Sequence, residues 1–190
     1  MRVIITNDDG IDAPGIHALR QAVAGLPELD AVIVAPMQPW SGSGHTLTTG
    51  RHIAIEERGA GVWAVAGSPA DCVRAALTHL APGSRAVISG INHGGNLGFD
   101  VYCSGTVAAA REAASHGFRG IACSHYLRRG MPVDWTRASK WLLALLPDLL
   151  AESTGHVSVN LPHLDPGAAM PAAVRCRLDP SPLPLAMERT

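Results

Sequence analysis

Residues 2–15 read RVIITNDDGIDAPG. Arg2–Thr6 is a short β-branched run, the pattern of a strand buried on both faces. Asp12 and Pro14 then open a helix that runs to about Ala24. Pro14 falls in the first turn, where its missing N–H costs nothing. Between strand and helix stand Asn7, Asp8, Asp9 and Gly10. The stretch therefore predicts a buried strand, a polar loop at its carboxyl end, and a helix.

The alternation continues outward. Asp30–Ala35 predicts a second strand, closed by Pro36. Residues 46–56 alternate weakly and suit a hairpin arm. Val62–Ala66 predicts a third strand, and Ser68 caps a helix to about Leu80. Arg85–Ser89 is a fourth strand, followed by a long glycine-rich loop from Gly90 to Ser104. A helix over Thr106–His116 leads to a fifth strand, Arg119–Ser124. An apolar helix over Asp134–Glu152, with a kink expected at Pro147, leads to a sixth strand, His156–Leu161. Continuous apolar strands alternating with helices predict an α/β fold, a parallel sheet covered on both faces. Residues 1–161 form the expected domain. Six prolines fall between 162 and 184, so residues 162–190 are expected to be an extended segment that packs on something else.

Composition narrows the function. The 190 residues are 47% hydrophobic and 16% charged, which excludes a disordered chain. Fifteen basic residues face sixteen acidic ones, and Arg128-Arg129 is the sole basic pair, so no nucleic-acid-binding patch is expected. Lys140, the one lysine, precedes Trp141, which excludes a P-loop. The cysteines at 72, 103, 123 and 176 match no zinc spacing and read as free thiols. Apolar runs are too short for a membrane span, and Arg2–Thr6 is too short for a signal peptide. A cytoplasmic protein is the expectation.

In an open parallel sheet, ligands bind at the carboxyl ends of the strands. Four polar clusters are expected there: Asn7–Gly10, Ser41–Thr46, Gly90–Asn96 and Ser104–Thr106. Adjacent carboxylates repel unless a cation lies between them, and a hard divalent cation takes oxygen ligands. An Asp-Gly turn before a helix N-terminus explains the same residues without a ligand. Ser104-Gly105-Thr106 offers hydroxyls and free N–H groups to an anion, or an ordinary N-cap. Together the acids, carboxamides and hydroxyls suggest metal-assisted phosphate chemistry. Gly42-Ser43-Gly44 lacks the third glycine of a dinucleotide fingerprint. No serine sits in GxSxG, no DxD follows strand one, and no histidines stand in HxxxH. His45 and His93 fall in rim loops, where they either shuttle protons or are simply solvated.

Several segments resemble the SurE family of survival-protein nucleotidases, in order along the chain. Val3–Gly15 resembles the family's opening. Ala35-Pro36 with Ser41-Gly42 and Leu47-Thr48 resembles its second motif. Further matches are Gly67–Val73 (GSPADCV), Ser89–Asn92 (SGIN) with Gly94 and Asn96–Gly98, Ser104–Ala110 (SGTVAAA), and Val159–Pro162 (VNLP). The resemblance implies a Rossmann-like three-layer α/β fold with a mostly parallel sheet, plus a short, oligomer-forming C-terminal extension. It implies a divalent-metal-dependent phosphomonoesterase that hydrolyses nucleoside 5'- and 3'-monophosphates. One Mg²⁺ or Mn²⁺ per subunit is carried over to Asp8, Asp9, Ser41 and Asn92, with Asp8 and Asp9 also catalytic. Phosphate binding is carried over to Asn96, Ser104, Gly105 and Thr106. A homodimer or homotetramer is implied too. Two other readings stay open: a non-catalytic nucleotide-binding relative, and a phosphatase for a non-nucleotide monoester. Gln38-Pro39-Trp40 departs from the family's usual polar stretch, and Trp40 either stacks on a base or packs the loop.

Overall fold

The computed structural model describes residues 1–182. The predicted first unit forms as β1 (Arg2–Thr6) and α1 (Pro14–Ala24). It is followed by β2 (Asp30–Pro36), β3 (Ile55–Gly59), β4 (Val62–Val65) and α2 (Pro69–Ala75), which runs into a π-helical turn, Ala76–Leu80. The remainder is β5 (Ala86–His93), α3 (Asp100–Cys103), α4 (Gly105–Ser115), β6 (Arg119–Tyr126), α5 (Trp135–Leu150) and β7 (His156–Pro162).

Seven strands form one sheet in the order β3-β4-β2-β1-β5-β6-β7. Every pairing is parallel except β3 with β4. The antiparallel pair uses part of the expected hairpin region, shifted toward Gly59. β3 (IEERG) is exposed along its whole length, and its charged side chains protect that edge from further pairing. α1 and α5 cover one face through Ile16, Leu19, Val23, Leu142 and Leu146. α2, the π-helical turn and α4 cover the other through Val73, Ala76, Ala109 and Ala113. The result is the three-layer α/β architecture, with β1 at its centre.

The chain leaves β1 toward β2 and β4, then returns to place β5 on the opposite side of β1. The carboxyl ends of β1 and β5 therefore flank a topological switch point, where open α/β sheets bind ligands.

Three expectations need correction. The sheet has seven strands rather than six, because residues 55–59 pair as a strand. The glycine-rich segment does not begin as a loop at Gly90: β5 continues to His93, with Asn92 paired to Ser124 and His93 to His125 on β6. A glycine is required at 90, where φ is +134° and a Cβ would lie 2.2 Å from the Cys123 carbonyl oxygen. The same segment also holds the short α3. Finally, α5 continues through Pro147 and ends three residues later, so the proline falls in its last turn.

After β7, residues 163–182 form no helix or strand. Leu164 and Met170 pack against the core, and Arg137 donates to the Leu164 and Asp165 carbonyls. Val174 and Leu178 are exposed, whereas the rest of the expected extended segment, 183–190, lies outside the described residues. No helix among the described residues is long and apolar enough to cross a membrane.

Candidate active site

Asp8 and Asp9 sit immediately after β1 at the switch point. Hydrogen bonding keeps this turn compact: Asn7 Nδ2 donates to the Gly10 carbonyl at 2.7 Å, and Ile11 N–H to the Pro36 carbonyl at 2.9 Å. Asp8 is 5% exposed and Asp9 is half-buried.

α4 is aimed at Asp8. Ser104 is its N-cap, accepting from Val107 N–H at 3.1 Å. The Thr106 hydroxyl, fully buried, donates to Asp8 Oδ1. Gly105 lets the helix come this close, because a Cβ there would lie 2.8 Å from Asp8 Cβ. The positive end of the α4 dipole thus faces the carboxylate.

Burial lifts the Asp8 carboxyl from its ordinary 3.8 to about 6. The Thr106 hydrogen bond works in the opposite direction, and the charge of Asp9 adds to the rise. Among the described residues, no arginine or lysine forms an ion pair with either acid. A buried carboxylate beside a second carboxylate, without a basic partner, suits a cation.

The other predicted ligands approach through main chain. Trp40 N–H donates to the Asp8 carbonyl at 2.7 Å, which fixes the residue before Ser41, itself exposed. Gly44 N–H donates to the Cys103 carbonyl at 2.9 Å, tying the same loop to the start of α4. His93 N–H donates to Asp9 Oδ2 at 3.1 Å, which places Asn92 one residue from that contact. Asn92 Nδ2 donates to the Gly94 carbonyl at 3.0 Å, leaving its carboxamide oxygen free of that bond. Two carboxylates, a hydroxyl and a carboxamide oxygen form an all-oxygen donor set, which fits a hard divalent cation. Among the described residues no cluster of three or more His, Cys, Asp or Glu forms an alternative metal cage.

Direct contact therefore unites Asp8, Gly105 and Thr106, and joins Asp9 to the main chain of His93. Ser104 and Thr106 have their hydroxyls engaged, as a cap and on Asp8, so α4 offers an anion its opening main chain rather than these hydroxyls, with the Thr106 N–H turned in part to Asp8. Asn96 is buried and donates through Nδ2 to Ser124 Oγ at 2.7 Å.

Three residues hold roles that no local sequence pattern marks. His45 is anchored as well as partly exposed: its Nε2 lies 2.8 Å from Oε2 of the buried Glu112, which also holds His116 Nε2 at 2.9 Å. This clamp fastens the Ser41 loop to the middle of α4. Glu112 lies in an alanine-rich helix, and nothing nearby in sequence marks it as a buried anchor. His93 contributes its main chain to Asp9, while its ring packs against Trp135 with centroids 6.2 Å apart. Beyond Trp135 opens a cavity of about 470 Å³, lined in part by Met131, Pro132, Arg137 and Pro166.

A mostly parallel α/β sheet thus carries a buried acid pair at its switch point, faced by the N-terminus of α4. The family model for survival protein SurE matches residues 3–178, and the chain belongs to the SurE family. A Nostoc sp. relative with 5'-nucleotidase in its name is 49% identical over 187 residues, 97% of this chain and 81% of its own. The 5'-nucleotidase SurE of Paramagnetospirillum magneticum is 40% identical, over 85% of this chain and 64% of that relative. The crystal structure of the SurE protein from Aquifex aeolicus superposes with a TM-score of 0.79 at 34% identity, over 86% of this chain and 67% of its own.

Proposed function

We propose that this protein is a divalent-metal-dependent phosphomonoesterase that releases phosphate from nucleoside 5'- and 3'-monophosphates. The buried acid pair at the N-terminus of α4 carries this reading, in a chain whose relatives bear the name 5'-nucleotidase. Asp8, Asp9, Ser41 and Asn92 would hold one Mg²⁺ or Mn²⁺. The bound cation supplies Lewis-acid polarisation of a phosphoryl oxygen and of a water.

The chain's own groups do the rest. Thr106 holds Asp8 Oδ1, which leaves Oδ2 to orient or deprotonate the attacking water. The N–H groups opening α4 and the Asn96 amide receive phosphoryl oxygens, and they are fixed before charge develops. The water oxygen bonds to phosphorus, the ester P–O bond breaks, and the alcohol leaves with the proton that Asp8 takes from the water. A homodimer or homotetramer, with residues 162–190 at the interface, is part of the same reading, and light scattering on the full chain tests it.

The nucleoside would extend toward the cavity lined by Trp135, whose ring packs on His93, the residue whose main chain bonds Asp9. Trp135→Leu removes the aromatic wall and about 1–3 kcal/mol of stacking. The KM for nucleoside monophosphates then rises roughly tenfold, while that for a small alkyl phosphate is unchanged. Phosphate release from 5'- and 3'-nucleotides and from the alkyl ester is the test. Equal turnover of every ester by the wild type would point to a general monoesterase, and no release at all to a binding protein.

A further inference from the structure

We infer that Asn160, on β7 and two strands away from β1's neighbour β5, is a positioning residue that sets Asn96 for the phosphate, with Ser124 as its partner; this rests on the proposed role of Asn96. Asn160 Oδ1 accepts from Asn96 N–H at 2.8 Å, and Asn160 Nδ2 donates to the Asn96 carbonyl at 3.0 Å. One carboxamide therefore satisfies both main-chain groups of a residue 64 positions earlier. It does what a neighbouring strand would do, for a loop residue that has no strand beside it.

The row that carries this contact is built into the sheet. Asn92 on β5 pairs with Ser124 on β6, and Ser124 with Asn160 on β7. In-register residues of a parallel sheet point to the same face, so the three polar side chains form one row across the strand ends. Asn96 folds back over that row. Its Nδ2 gives one hydrogen to Ser124 and keeps a second, the one available to a phosphoryl oxygen. Asn96 is 7% exposed, so it is held on three sides with little freedom to reorient.

The pairing is specific to asparagine. Aspartate at 160 keeps an acceptor for Asn96 N–H but sets a second oxygen against the Asn96 carbonyl. In Asn160→Asp, the KM for a nucleoside monophosphate and the Ki of inorganic phosphate should both rise about tenfold, with kcat changed less than about threefold. A cycle with Asn96→Ala separates positioning from general damage: the double variant should be no worse than Asn96→Ala alone. Ser124→Ala, which removes a single hydroxyl, carries the same test should Asn160→Asp not fold. Wild-type KM and Ki in Asn160→Asp beside an impaired Asn96→Ala would overturn the inference alone, as would losses that multiply in the double variant. Unchanged phosphate affinity in Asn96→Ala would overturn both the inference and the proposed role of Asn96.

Discussion

Asp8→Asn and Asp9→Asn should each lower turnover by at least about a thousandfold and yet leave the protein folded. Each removes a charge that the proposed cation needs, at the point where α4 and β1 converge. Stability should move the other way for Asp8. Its carboxyl titrates near 6 in the folded chain against an ordinary 3.8, so the native state binds the proton more tightly than the unfolded state. For this group stability is greatest below about pH 4, falls as pH rises through 6, and stays lower above that. The ionised Asp8 thus costs the metal-free fold about 3 kcal/mol at pH 7. Asparagine keeps an acceptor for Thr106 without the charge. Chelated Asp8→Asn should melt several degrees higher than chelated wild type at pH 7, and the difference should vanish near pH 4. An inactive Asp8→Asn that melts lower at pH 7 would show that Asp8 supports the fold and not the site.

Gly105→Ala should be nearly as damaging to activity, for a steric reason. The added methyl would meet Asp8 Cβ at 2.8 Å, Asp8 Oδ2 at 3.0 Å and Pro69 Cγ at 3.2 Å. None of these is the far end of a long flexible side chain. The start of α4 must lift away from Asp8, and the Thr106 hydroxyl moves with it. Overpacking of this kind costs about 1–3 kcal/mol, partly offset by alanine's better helix propensity. Folding should therefore survive, whereas turnover should fall about a hundredfold through misplacement of the carboxylate and the anion donors. Melting and phosphate release on the same preparation decide it. Wild-type turnover would mean that α4 need not touch Asp8.

The fold was legible wherever local chemistry and tertiary context agree. Arg2–Thr6 and Pro14–Ala24 fall where the β-branched run and the helix-opening proline place them. The acid pair was legible for the same reason, since a strand end in an open sheet has a known use. Residues 90–93 were not, because their glycine reads as loop while pairing with β6 keeps them extended. The same limit applies to side chains that meet across the sequence. His45 and Glu112 are 67 residues apart, and Asn96 and Asn160 are 64 apart. No local pattern distinguishes a buried Glu112 from a solvated one. Asn160 was visible within VNLP, but its partner was not. Thr106 was read as a phosphate ligand, and the structure sets its hydroxyl on Asp8.

Phosphate release from a nucleoside 5'-monophosphate, measured on the full chain before and after exhaustive chelation and again on adding back Mg²⁺ or Mn²⁺, tests the acid pair's assignment most directly. Turnover should disappear in chelator and return with either cation in the wild type, but not in Asp9→Asn. Undiminished turnover in chelator would contradict the account, and would leave Asp8 as a nucleophile acting without a cation.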